Sequence, residues 1–442
     1  MPDRRPRRLA AIGSALALLA AVLLPGPAAF GGPGGAAAAE RSSPIVVGRV
    51  PELTFHGRGW GHGVGMSQHG ARGRALAGQN AATILGHYYA NTTLGTTDPA
   101  STVRVLLLNG FGASAASPLN VIGRGAEWAV EGVAKTFPRD ARLTAWPSAA
   151  GSTTWSLRVV SSGGSQLHSQ LVSGGFVIRP AGAAALLQLD SKPSTYDTYR
   201  GTLRVRLTTA SVVVNELGLD SYLRGVVPIE MPPSWPAEAL RAQAIAARSY
   251  AAVRLRPGTG TFDLYDDTRS QVYRGVEGEA TATNTAIEAT SGVVVKSGSA
   301  IANSMFHSTG GGATEHNENV FVSSTGAIVA GPVSYLRGRP DRAPDGTAWD
   351  AAAPLATWKT AAYAIRELSA IFGRDARTNT GTLSRLDLSR RGVSGRLISV
   401  TLIGSAGTRT VSGDVFRSVF NRWRPVGEPE LRSTLFDTRP IP

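Results

Sequence analysis

One glutamate stands out for its surroundings. In Val226-Val-Pro228-Ile-Glu230-Met-Pro232-Pro-Ser-Trp235, Glu230 is flanked by apolar residues and by prolines at 228, 232 and 233. Prolines stiffen the frame, and an apolar frame disfavours the charged form of a carboxyl group, raising its pKa. A carboxyl that keeps its proton near neutral pH can serve as a general acid. The structural alternative is a capping or ion-paired carboxylate. Arg241 and Arg248 follow on a helical stretch, seven residues apart and facing the same way. They suit an anionic substrate group or a structural salt bridge equally well. Glu238, near the start of the same stretch, reads as a helix-dipole residue.

The second concentration of chemistry is His56-Gly-Arg-Gly-Trp60-Gly-His62-Gly-Val-Gly-Met66-Ser67-Gln68-His69. Glycines at 57, 59, 61, 63 and 65 alternate with larger residues. On an extended chain that places the glycines on one face, open to another chain or a flat sugar, with Trp60, His62 and Val64 opposite. A helix is expected from Met66 through Ala71 and Leu76, with Gly78 as its stop. No Gly-Lys-Ser/Thr ending follows, which argues against a phosphate-cradling loop. His62 and His69 have no carboxylate beside them, so a zinc site is weakly supported, and none is expected. Tight packing with His62 as a hydrogen-bonded structural residue is the plainer reading.

These residues need elements to hold them. The long helix is expected from about Pro236 to Val253, with Ser234 as its cap. Strands are expected at Val103 to Leu108, Trp155 to Val160, Phe176 to Ile178, Thr202 to Leu207 and Val212 to Leu217. Farther on, Asn284 to Thr290 reads as helix. Val293 to Val295, Ala300 to Phe306 and Leu397 to Ile403 read as strands, and Trp358 to Phe372 as an amphipathic helix. The fold class is therefore α+β, a mixed core with an accessory β-rich module. The division expected is a leader over 1–39, a glycine/histidine segment over 40–98 belonging to the core, the β-rich module over 99–200, and the main core over 201–437.

The leader reading rests on Arg4, Arg5, Arg7 and Arg8 before an apolar run from Leu9 to Leu24, then small residues Ala36 to Ala39. That order is a secretory signal, with cleavage expected after Ala39. No later segment approaches about 20 uninterrupted apolar residues, so no membrane span is expected after cleavage. Without cysteine, the chain has no disulfide, thiolate metal site or cysteine nucleophile. Beyond the leader, 41 basic residues face 30 acidic ones, a net charge of +11. An exported basic protein is drawn to polyanions such as cell-wall polymers. Nucleic acid would fit the charge, but the arginines are scattered and export argues against it.

Five motifs together resemble the stage II sporulation protein D/LytB family. They are Gly59-Trp-Gly-His-Gly-Val-Gly-Met-Ser-Gln68, Tyr222-Leu-Arg-Gly-Val-Val with Glu230-Met-Pro, Glu238-Ala-Leu-Arg-Ala-Gln-Ala-Ile-Ala-Ala-Arg248, Ser270-Gln271-Val-Tyr273-Arg-Gly275, and Phe306-His307-Ser308-Thr309-Gly-Gly-Gly-Ala-Thr314-Glu315. The resemblance implies a secreted, wall-associated lytic transglycosylase. Such an enzyme cuts the β-1,4 bond between N-acetylmuramic acid and N-acetylglucosamine, preferring peptide-stripped glycan strands and needing no cofactor. It implies Glu230 as catalytic residue. Arg241, Arg248, Gln271, Tyr273, His307, Ser308, Trp60, His62, Ser67 and Gln68 would line or support the cleft. A non-catalytic glycan-binding enhancer of a cell-wall amidase is the alternative. Here the glycine/histidine motif comes first, whereas in the family it follows the others. This implies a circular permutation, with Thr434-Leu-Phe436 beside Leu53-Thr-Phe55. Arg241 and Gly310 stand where relatives commonly have lysine and serine.

Overall fold

A computed structural model describes residues 45–46, 52–207 and 211–441. The leader and its cleavage site lie outside the described residues. The fold is mixed α+β, and its contacts divide it into two compact units.

One unit is Arg104–Glu216 with Gly258–Arg274. Strict alternation builds its strands. In Thr154–Val160, Trp155, Leu157 and Val159 point inward and are at most 1% exposed. A six-stranded sheet runs in the order Gln166–Ser173, Thr154–Val160, Arg142–Pro147, Leu119–Arg124, Leu186–Gln188, Thr198–Tyr199. A seven-stranded sheet includes Gly175–Pro180, Thr202–Leu207 and Ser211–Gly218 as successive neighbours. Thr202–Leu207 and the strand after it, assigned to the main core from sequence, thus hydrogen-bond into the β-rich sheet. Leu264–Tyr265 joins the same sheet, parallel to Thr102–Phe111. The sequence gives no sign of that return, because a two-residue strand has no period to detect.

The other unit is formed by 52–103, Leu217–Pro257 and 275–441. At its centre lies the alanine-rich helix Ala237–Ala252, packed against helices Gln68–Leu76, Ala81–Tyr88, Leu219–Arg224 and Thr281–Ala289. The helix starts at Pro236 without a side-chain cap, so Ser234 does not cap it. Instead Glu238, in its first turn, accepts the Ala81 N–H at 2.8 Å and ties the start of one helix to the other. A core of Val64, Met66, Ile84, Tyr89, Met231, Leu240 and Ile245 fills the space between these elements.

A second core gathers Phe55, Leu368, Phe372, Leu402, Phe416, Phe420 and Phe436. Its sheets bring sequence-distant segments together. Phe436 and Asp437 pair antiparallel with Gly57 and His56, while Glu52–Leu53 pairs with Tyr363–Ala364. The expected meeting of residues 434–436 with 53–55 is therefore realised between 436–437 and 56–57. The helix expected over Trp358 to Phe372 is shorter. Thr357–Lys359 is a strand on His56–Arg58, and helix begins only at Ile365. Trp358 decides this, because its ring covers Gly57 and its indole N–H donates to the Gly59 carbonyl at 2.8 Å.

Phe55 meets Phe416, Phe420 and Phe436 edge-on at 5.3–5.8 Å between ring centroids. It is fully buried. Phe55→Ala is expected to destabilise this unit by about 3–5 kcal/mol, read as a lowered urea midpoint.

Candidate active site

The glycine/histidine segment is not an extended strand. Gly59, Gly61, Gly63 and Gly65 all adopt positive φ, from 69° to 105°. The chain coils, and its bare face lies against the protein's own backbone and side chains. A side chain at Gly63 would meet the Arg396 guanidinium at 2.3 Å, and one at Gly65 the Met305 carbonyl at 2.0 Å. Trp60 and Thr309 exchange backbone hydrogen bonds of 2.9 and 3.0 Å. Met66–Ser67 then runs parallel to Phe306–His307. Two distant motifs are thereby zipped together.

Within this zipper the histidines are structural. His62 Nδ1 accepts the Val64 N–H at 3.0 Å, which assigns the proton to Nε2, 3.0 Å from the Phe306 carbonyl. Burial, with Arg396 nearby, pushes its pKa down to about 4. His307 lies against the Val64 carbonyl through Nδ1 at 3.2 Å, and its pKa is held well below the usual value by burial. Ser67 Oγ accepts from Gly70 N as the cap of helix Gln68–Leu76 and from Gly310 N, both at 3.1 Å. Trp60 stays 38% exposed, with the Arg432 guanidinium 5.6 Å from its ring centroid.

The helix that Ser67 caps brings this segment to Glu230. Gln68, its first residue, directs its amide to Glu230 Oε2 at 3.3 Å. Glu230 closes the short helix Val227–Glu230 and is half-buried. The other carboxylates of this unit near the motifs have partners of their own. Asp220 accepts from Arg248, Glu238 from Arg241 and Ala81 N, Asp341 from Arg74 and Tyr88, and Asp350 from Gly311 N. Glu315 is buried and accepts from His316 N, Asn319, Val393 N and Ser394.

The two helix arginines part company. Arg248 is wholly buried and donates to Asp220 at 2.6 Å and to the carbonyls of Val293 and Ile287 at 3.1 and 3.2 Å. It can support the site from behind but cannot reach a ligand. Arg241 is partly exposed and pairs with Glu238. Ser308 is partly exposed, and its carbonyl accepts the His69 N–H at 3.0 Å. Gln271 and Tyr273 belong to the β-rich unit; both are buried, and the Tyr273 hydroxyl donates to Asn215 Oδ1 at 2.9 Å.

Sequence reading missed Tyr250 and its surroundings. Tyr250 lies one helix period of seven beyond Gln243, whose Oε1 is 3.5 Å from the Gln68 amide. Its hydroxyl pKa is raised mainly by burial and also by the charge of Glu230, with Arg254 opposing. Arg254 stacks on the Tyr250 ring at 3.4 Å and donates to Asn303 Oδ1 at 3.0 Å. The heptad spacing from Gln243 was the available signal. Among the described residues no group of three or more His, Cys, Asp or Glu is placed to hold a metal ion.

Residues 208–296 match the SpoIID family, described as stage II sporulation protein. The chain is 39% identical over 127 residues to an uncharacterised protein of Brachyspira hyodysenteriae, covering 28% of this chain and 34% of that one. It is 41% identical over 108 residues to the amidase enhancer of Bacillus subtilis, covering 24% and 14%. With stage II sporulation protein D of Bacillus subtilis it shares 30% identity over 153 residues, covering 31% and 42%. The chain thus spans less than half the length of each of these relatives.

Two outcomes follow from the zipper. Unfolding returns His62 to its ordinary value of 6.5, so between about 4 and 6.5 the unfolded chain binds a proton that the folded one excludes. The stability contributed is whole above pH 6.5 and is lost as pH falls through about 4, on the order of 3 kcal/mol. In melting curves, the advantage of the native protein over His62→Gln should shrink across that window. The second outcome concerns His307 Nε2, which is buried and has no hydrogen-bond partner among the described residues. A Cβ on Gly310 would sit 3.5 Å from both His307 Nε2 and Asp350 Oδ2. Gly310→Ser is expected to be more stable than Gly310→Ala by about 0.5–1.5 kcal/mol, read as a higher urea midpoint, because its hydroxyl can donate to His307 Nε2.

Proposed function

We propose that this chain, which carries a SpoIID domain, is a peptidoglycan lytic transglycosylase acting on peptide-stripped glycan strands, with Glu230 as its one acid/base. The observation that carries the reading is a half-buried glutamate in a proline-held frame, approached by the Gln68 amide from a motif 162 residues away. Neighbouring carboxylates are occupied by partners of their own, so none of them is offered as a second catalytic acid. Ordinary glycosidases use two carboxyl groups, one for the leaving oxygen and one for water or the sugar. One suffices when the sugar supplies its own nucleophile.

The steps balance without water. Glu230 gives its proton to the glycosidic oxygen as the bond to the muramic anomeric carbon breaks. The 6-hydroxyl of the same muramic residue then attacks that carbon, and the Glu230 carboxylate takes up the hydroxyl proton. The products are a 1,6-anhydromuramic end and a free 4-hydroxyl on the departing strand, with the glutamate again protonated. Gln68 fixes the carboxyl orientation, while Arg248 and the histidine zipper hold the walls.

The motif order and the pairing of residues 436–437 with 56–57 support a circularly permuted core. Export and association with the cell wall are part of the proposal, supported by the leader expected over 1–39 and by the basic charge. A second reading, a non-catalytic glycan-binding enhancer of a wall amidase, is favoured by the 41% identity to a protein of that name.

Digestion of peptide-stripped strands with mass analysis of the ends separates the two. Anhydromuramic ends are expected from the native protein, and Glu230→Gln should slow their release by about 10²–10⁴-fold with the melting temperature preserved. Intact strands with an amidase accelerated equally by native protein and Glu230→Gln would replace this reading with the enhancer.

A further inference from the structure

The wall on the other side of Glu230 is built from the helix that Ser67 caps. Gln68 reaches Glu230, and His69 and Arg72, three residues apart on the same helix, both reach Trp235. Trp235 lies five residues past Glu230 on the same proline-rich loop and is partly exposed. The His69 ring meets it edge-on at 4.7 Å, which fixes the indole plane. The Arg72 guanidinium stands 5.6 Å from its ring centroid.

Arg72 differs from the cations around it. Arg74 is paired with Asp341, Arg241 with Glu238 and Arg248 with Asp220, while Arg254 donates to Asn303. Among the described residues Arg72 makes no ion pair and no side-chain hydrogen bond. A partly exposed guanidinium oriented by an aromatic ring, with its five donors unspent, is built to take a planar anion from solution. A carboxylate matches that fork in a bidentate pair. The indole beside it offers apolar surface with little conformational freedom to lose, as a pyranose ring needs. Burial and the charge of Arg72 together hold His69 below its usual pKa, so Arg72 brings the positive charge of this corner.

We propose that Arg72 and Trp235 form a subsite beside Glu230 for a carboxylate-bearing sugar, the pyranose against the partly exposed indole and its carboxylate on the guanidinium. It rests on the glycan-cleaving reading above and deepens it. The residue next to the scissile bond is recognised by its acidic ether substituent, so glycans without that carboxylate bind poorly.

The test measures binding by Glu230→Gln, whose strands stay uncut. The probes are peptide-stripped glycan strands and the same strands with their lactyl carboxylates reduced to alcohols. The expected result is tighter binding of the native strands by about tenfold or more. Adding Arg72→Gln should erase that preference, Arg72→Lys should restore part of it, and Trp235→Ala should weaken both probes alike. A merely structural Arg72 would not move the ratio between the probes. An undiminished preference in the Arg72→Gln protein, or no binding of either strand, overturns the subsite. The outcome is separable from the cleavage reading, because a native protein that binds with this preference yet releases no anhydromuramic ends loses the enzyme and keeps the subsite.

Discussion

The site depends on one backbone zipper, the contact of residues 60–67 with residues 305–309. Its hydrogen bonds run between main chains, from Trp60 with Thr309 to Met66 N with the Met305 carbonyl at 3.0 Å. Such bonds form only if the two chains approach closely, and the glycines permit that approach. At Gly65 a methyl group would come within 2.0 Å of the Met305 carbonyl oxygen. The capped helix, and with it Gln68 and Arg72, is carried into place by this contact. Glu230 faces Gln68 from the end of the short helix Val227–Glu230, with Pro228 inside that helix and Pro232 and Pro233 just beyond it.

The histidines belong to the same construction. His62 and His307 each spend a ring nitrogen on the partner segment, with their rings 5.4 Å apart. Both are kept neutral by burial. Two adjacent cations here would repel each other and Arg396 beside them. Neutral imidazoles offer a donor and an acceptor at fixed angles, which suits backbone groups that would otherwise lie buried and unpaired. A motif that looks catalytic by composition thus works as a joint, while the glutamate proposed as the acid/base lies on a different segment.

Much of this was legible in the residues themselves. The alanine-rich helix announced itself through propensity and period, ending within a residue or two of expectation. Gln68 and Glu230 were both candidates, and the fold brings them into contact. The glycine segment was misread locally because alternation is also the mark of a strand. Only the partner backbone, some 240 residues away, reveals that the glycines serve positive φ and close approach. Arg241 and Arg248 share a helix face in projection, yet one lies partly at the surface and the other in the core. Spacing on a helix cannot say what packs over each turn. Tyr250 was missed because an aromatic on an apolar face reads as core until a carboxylate is placed near it.

The central claim is that one carboxyl group and the substrate's own hydroxyl complete the reaction, with no water consumed. Digestion of peptide-stripped strands in water enriched in ¹⁸O tests this most directly, by mass analysis of the newly formed ends. The account predicts anhydromuramic ends that carry no heavy oxygen from the first turnover onward. Reducing ends that incorporate the label would contradict it, since they require water as nucleophile and a second group to activate it.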